Sequence, residues 1–161
     1  MPKVVVAKKF SKLSVSLKQK QRLGAPLIES ALAPAVKVIP YYERLLFGTK
    51  GKKFKQRTFF IPEQKRLRIE ITHKGKVVST LGAFIDTYGK HSEATITWKD
   101  TFPTYERMGL ATQMLGETLV VLKKAGVKSV KAHVINGRGI YRTLGFSEVH
   151  KFGETYMWKN L

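Results

Sequence analysis

The chain contains no cysteine. That absence excludes disulfides, zinc–thiolate sites and a cysteine nucleophile. Acidic residues are scarce too: 11 Asp and Glu stand against 30 Lys and Arg in 161 residues, a formal net charge of +19. No apolar run approaches the roughly 20 residues that a membrane span needs. The opening MPKVVVAKKF has an apolar core of only four residues, too short for a secretory signal. The expectation is an intracellular, cytoplasmic protein without a membrane span, and no metal site is expected.

What is present describes one globular domain over residues 1–161. The chain is 43% hydrophobic and 11% aromatic, enough to build a core. Its length suits one domain and is short for two, and no repeat or linker divides it. The charge is uneven. Residues 1–76 hold 19 Lys and Arg against 4 acids, a net of +15, whereas residues 77–161 carry a net of +4. Such an excess favours polyanions: nucleic acid, a ribosome surface or an acidic membrane.

Taken in order, residues 3–7 (KVVVA) suit a first strand. Ser11 or Ser14 can cap a helix through about Leu23, broken by Gly24-Ala25-Pro26. A second helix is expected from Leu27 to Ala35. The run from Ile39 to Phe47 is apolar but of open type, and Tyr41, Tyr42 and Arg44 within it suit either a rim for a substrate or for bases or, as the commoner role of Tyr at such positions, half-buried packing. Residues 48–57 (GTKGKKFKQR) read as a basic, glycine-containing loop. Lys50, Lys52, Lys53, Lys55 and Arg57 around Phe54 suit a phosphate-backbone contact with one stacking aromatic. Strands then follow at Thr58–Ile61, Arg66–Thr72, Val77–Thr87 and Ser92–Asp100. Their alternation puts Leu67, Ile69 and Ile71 on one face, and Ala94, Ile96 and Trp98 on another. The short turns between them imply an antiparallel meander.

A long amphipathic helix is expected from Thr104 or Tyr105 to Lys124. Leu110, Met114, Leu115, Thr118, Leu119 and Leu122 form its stripe, Ala125-Gly126 ends it, and Lys123 and Lys124 sit at its negative end. Pro103 ends the preceding strand. Gly109 and Ala111 strip side chains from the helix start, which leaves unpaired N–H groups for an anion such as phosphate. An apolar strand from Ser129 to Ile135 follows. A short helix then runs from Asn136-Gly137-Arg138-Gly139 through Leu144 to a Gly145 cap. Phe146–Val149 and Thr155–Lys159 form a terminal hairpin around Gly153.

Three segments in this order resemble the Gcn5-related N-acetyltransferase (GNAT) family. FPTYERMGLATQML is similar to the family's strand-to-helix segment V-x-P-x-Y-R-x-x-G-x-[GA]. The strand Val130–Asn136 follows the helix, and IYRTLGF at residues 140–146 is similar to the family's Y-x-x-L-G-F. The resemblance covers residues 92–149; residues 1–60 fit only by the order of elements. It implies an α+β fold, an α/β/α sandwich with a mixed, mostly antiparallel sheet of six to seven strands and helices on both faces. It also implies two adjacent parallel strands that splay to admit acyl-CoA, with acetyl-CoA as the acyl donor.

The resemblance places the pyrophosphate on the amides of Arg107, Met108, Gly109, Leu110, Ala111 and Thr112, with Thr101, Phe102 and Asn136 also at the cofactor. It makes Tyr141 the general acid. Glu93 is the leading candidate for the base, with His91, Asp100 and His133 behind it. Two features depart from the family. Glu106 stands where it prefers Gln or Arg, and the spacing from Asn136 to Tyr141 is short. The implied activity is N-acetylation of an unidentified amine, with nucleic acid or a ribonucleoprotein reached through the basic N-terminal half. The other reading is a catalytically relict binding module for nucleic acid, a ribosome, a nucleoprotein or a virion. A homodimer stays open, since terminal strands in this fold often pair between subunits.

Overall fold

Alternating residues build most of the molecule. In the computed structural model, which describes residues 36, 37, 39–47, 51–134 and 137–161, eight strands form one sheet. They are β1 (Tyr42–Phe47), β2 (Lys53–Ile61), β3 (Arg66–His73), β4 (Lys76–Tyr88), β5 (His91–Thr101), β6 (Ser129–Ala132), β7 (Ser147–Lys151) and β8 (Glu154–Asn160). Two α-helices, α1 (Leu110–Ala125) and α2 (Arg138–Thr143), and two 3-10 turns, Pro62–Gln64 and Pro103–Tyr105, complete the described elements. The expected strand at residues 3–7 and the helices at 11–23 and 27–35 lie outside the described residues.

The sheet order is β1-β2-β3-β4-β5-β6-β8-β7. Strands β1 to β5 form the expected antiparallel meander. Strands β5 and β6 are parallel, and β8 closes antiparallel on β6 and β7. The α+β class and the mixed, mostly antiparallel sheet are as expected. The strand count exceeds the expected six to seven, and the run of open type at Ile39–Phe47 supplies β1.

The core lies where the alternation put it. Leu67, Ile69 and Ile71 on β3 are each 0% exposed, as are Leu81, Ala83 and Ile85 on β4. Helix α1 packs on β3, β4 and β5 through Leu110, Met114, Leu115, Thr118, Val121 and Leu122. Each large side chain so buried contributes on the order of 1.5–3 kcal/mol. Leu119 packs only partly against this core. The helix stops at Gly126, where the Val127 N–H reaches the Leu122 carbonyl at 3.0 Å and the Gly126 N–H reaches that of Lys123 at 3.0 Å. This pairing satisfies carbonyls that a helix end otherwise leaves open.

Between β1, β2 and α1 the core is polar. Tyr42 donates to Glu117, Arg44 pairs with Glu117 at 2.7 Å and donates to Gln56 at 2.9 Å, and Gln56 donates to Thr58 at 3.2 Å. Gln56 and Thr58 are fully buried, and these partners are what make that burial tolerable.

Three expectations are corrected. Helix α1 starts at Leu110, not at Thr104 or Tyr105: Pro103–Tyr105 is a separate 3-10 turn. Strand β2 begins at Lys53, so Lys53, Lys55 and Arg57 lie on a strand and not in a loop. Phe54 is 1% exposed and belongs to the core, so it cannot stack on a base. Lys50 lies outside the described residues.

Candidate functional site

Strand β5 outruns its parallel neighbour. Only Glu93–Ile96 pairs with β6, opposite Ser129–Ala132, and β5 continues to Thr101 without it. Past Ile96 the two strands no longer hydrogen-bond, and a cleft of about 410 Å³ opens there. Lys99, Asp100 and Thr101 of β5 line it, with Tyr105, Glu106 and Arg107 of the following turn, the first turn of α1, and Ile140 of α2.

The turn into α1 is unusual. Arg107 has φ 58° and Gly109 has φ 76°. The left-handed region costs a side-chain-bearing residue roughly 1–2 kcal/mol, and glycine avoids that cost at the second position. Gly109 is the N-cap and offers no side chain to the first amides of the helix. Space beside it is open: a Cβ there would meet only the Gln113 Nε2, at 3.9 Å. Leu110, Ala111 and Thr112 therefore start a helix whose orphan N–H groups have no side-chain cap, at the positive end of its dipole.

Strand β5 carries a β-bulge. Ile96 pairs with Ala83, Trp98 pairs with Gly82, and Thr97 has no partner in the register. The Thr97 hydroxyl instead donates to the Gly82 carbonyl at 3.2 Å. An extra residue flips the alternation beyond it, so Lys99 falls on the face of Leu81 and Ala83. Plain alternation pairs Trp98 with that face, and this is why sequence reasoning missed Lys99. Its Nζ lies 5.7 Å from the centre of the Tyr141 ring. Burial pushes the Lys99 ammonium below its ordinary pKa.

Tyr141 is held by the end of α2. Gly145 has φ 81°, the Phe146 N–H donates back to the Tyr141 carbonyl at 3.0 Å, and the Tyr141 and Phe146 rings meet edge to face at 5.2 Å. The spacing Y-x-x-L-G-F is thus a helix cap that clamps a tyrosine. Tyr141 is 3% exposed, and burial pushes its hydroxyl above the ordinary tyrosine range.

The other expected residues divide clearly. Thr101, Arg107, Gly109, Leu110, Ala111 and Thr112 line the cleft. Phe102, 60% exposed, and Met108, packed partly on the core, do not. Asn136 lies outside the described residues. Tyr141 stands behind Lys99 and Ile140 and is not itself in the lining.

Glu93, the leading candidate for the base, sits at the far end of β5, opposite Ser129, whose hydroxyl donates to it at 3.2 Å. Six residues of strand, about 20 Å, separate it from Lys99. Among the four candidate bases only Asp100 lines the cleft. Lys52, expected on nucleic acid, lies with its Nζ 5.6 Å from the Tyr105 ring at the edge of this cleft.

No protein-family model matches the sequence, and no curated protein matches it. Solved structures do. The GNAT domain of S. lividans PAT superposes with a TM-score of 0.62 at 12% identity, over 74% of this chain and 97% of that one. The chain has the GNAT fold. A cAMP-binding acyltransferase from Mycobacterium smegmatis matches with a TM-score of 0.59 at 13% identity, over 96% of this chain and 53% of that one. The PaiA N-acetyltransferase from Thermoplasma acidophilum, solved with coenzyme A, matches with a TM-score of 0.51 at 18% identity, over 60% of this chain and 62% of that one. This chain thus spans about half of the mycobacterial protein and somewhat more of PaiA. At such identities the likeness is one of GNAT fold alone.

Proposed function

We propose that this chain is an acyl-CoA-dependent N-acyltransferase, with acetyl-CoA as donor and an amine as acceptor. The observation that carries the reading is the uncapped start of α1, with Arg107 and Gly109 both left-handed, opening on the cleft beside the unpaired end of β5. The amides of Gly109 to Thr112 would hold a pyrophosphate, and a Cβ at Gly109 would intrude on that cradle. Lys99 and Arg107 add positive charge at the same cleft. The donor supplies an activated thioester.

Tyr141 is the proton donor. A tyrosine hydroxyl is protonated at neutral pH, the state a general acid must start from, and burial raises the pKa of this one further. The Lys99 ammonium, which lines the cleft, lies over its ring. Of the two carboxylates at the cleft, Asp100 and Glu106, Asp100 is the one that takes up the proton of the acceptor amine.

A second reading is a binding module whose cleft is relict. Glu106 favours it, since its carboxylate lines the same cleft and repels an anion there. Calorimetry or thermal shift with acetyl-CoA separates the two. A bound donor raises the melting temperature by mass action. No shift at millimolar acetyl-CoA would overturn the enzyme reading and leave the second.

A further inference from the structure

Three of the residues expected in a basic loop, Lys53, Lys55 and Arg57, stand instead on one face of a sheet. Tyr42 and Arg44 of β1 pair in register with Thr58 and Gln56 of β2 and reach Glu117 of α1. The alternate residues therefore face away from α1. On β2 these are Lys53, Lys55, Arg57 and Phe59. Successive members of that line are about 6.8 Å apart, close to the repeat of phosphates along an extended single strand. Lys53, Lys55, Arg57 and Lys74 surround a concavity of about 290 Å³.

Two carboxylates sit among these cations, and both act as braces. Glu70, 6% exposed, holds Arg57 at 2.5 Å and Arg68 at 3.0 Å. Glu43 holds Lys55 at 2.8 Å and accepts from the Tyr41 hydroxyl at 2.5 Å. Lys53, Lys55, Arg57, Arg68 and Lys74 still outnumber them by five to two. Among the described residues Lys53 and Lys74 form no ion pair. Beyond Arg57 the line reaches Phe59, whose half-buried ring lies 6.5 Å from that of Tyr41.

We propose that this face of β1–β3 binds single-stranded nucleic acid, with phosphates along Lys53, Lys55, Arg57 and Lys74 and a base on the Tyr41–Phe59 pair. Cations at regular spacing ending on aromatic rings suit a flexible strand with unstacked bases. A duplex offers phosphates but no free base faces. The inference does not depend on the acyltransferase reading.

The test is fluorescence anisotropy of the full chain with a labelled single-stranded RNA of mixed sequence, its duplex, and inorganic polyphosphate as competitor, across a salt series. The expected result is tighter binding of the single strand than of the duplex, weakening as salt rises. Lys53→Ala and Lys74→Ala, both at exposed positions, should each reduce the salt slope by about 0.7. Phe59→Leu should weaken the single strand by roughly tenfold and leave polyphosphate unaffected. Four results would overturn the proposal: no binding, a slope unchanged by the lysine substitutions, equal affinity for the duplex, or an unchanged affinity in Phe59→Leu. Circular dichroism of each variant separates a lost contact from a lost fold.

Discussion

The cleft at α1 and the basic face of β1–β3 are both suited to anions, but by different means. At the cleft the donors are backbone N–H groups at a helix start, and the side chains that matter most are the ones missing at Gly109 and reduced at Ala111. Charge there is balanced, with Lys99 and Arg107 against Asp100 and Glu106. On the sheet face the donors are side chains, and cations prevail. Backbone donors are fixed by the fold and single out one ligand shape. Long cationic side chains supply charge with little shape, and salt screens them. A point substitution should therefore damage the cleft through backbone geometry and the face through charge.

The largest expected effect tests the chemistry of the cleft. Tyr141→Phe should lower turnover by roughly 10²-fold or more while acetyl-CoA affinity stays within about twofold, since only the hydroxyl is lost. Steady-state kinetics beside calorimetry checks this, and equal turnover would remove Tyr141 as the acid.

Next in size is Gly109→Val. A β-branched residue at φ 76° should cost roughly 1–2 kcal/mol of stability and abolish the thermal shift with acetyl-CoA. RNA binding should not change. Loss of both activities together would mean that the two regions are not separate.

A third prediction contrasts two tyrosines. The Tyr41 hydroxyl is pushed up to about 12 by burial and then by its bond to Glu43, whereas Tyr141 is raised by burial alone. Both are raised in the folded chain, so the stability they contribute is complete below about pH 10. It is lost as the pH climbs from there through the folded values. Glu43→Gln should bring the Tyr41 titration down and leave Tyr141 where it is, as read by ultraviolet absorbance of single-tyrosine-to-phenylalanine backgrounds.

The smallest effect is Glu106→Gln. Removing one exposed carboxylate from the cleft should tighten acetyl-CoA by a few fold at low salt, and less at high salt. Weaker binding in this variant would give Glu106 a positive role that charge alone does not explain.

Much of this was legible in the chain. The meander showed in Leu67, Ile69 and Ile71 because one face of each strand is buried and polar residues alternate with apolar ones. The α1 stripe and the Gly126 stop were legible for the same reason of period. Strand β2 was not, because Gln56 and Thr58 are polar yet fully buried. Their alternation looks hydrophilic until Arg44 and Glu117 are brought beside them from β1 and α1. The start of α1 was misjudged because Tyr105 to Met108 carry no helix breaker. Only the left-handed backbone at Arg107 and Gly109 delays the helix to Leu110.

Composition and pattern by themselves determined an α+β chain with a meander, one long amphipathic helix, a small-residue helix start and an excess of cations. Those features rest on local period and on side-chain type, which a sequence displays directly. Only the tertiary structure decided that Lys99 faces Tyr141, that Glu93 is remote from the cleft, that Phe54 is core, and that Lys53, Lys55 and Arg57 share one face with Tyr41 and Phe59. Each of these depends on strand register, and a single bulge at Thr97 or a one-residue change of pairing moves every following side chain to the other side of the sheet.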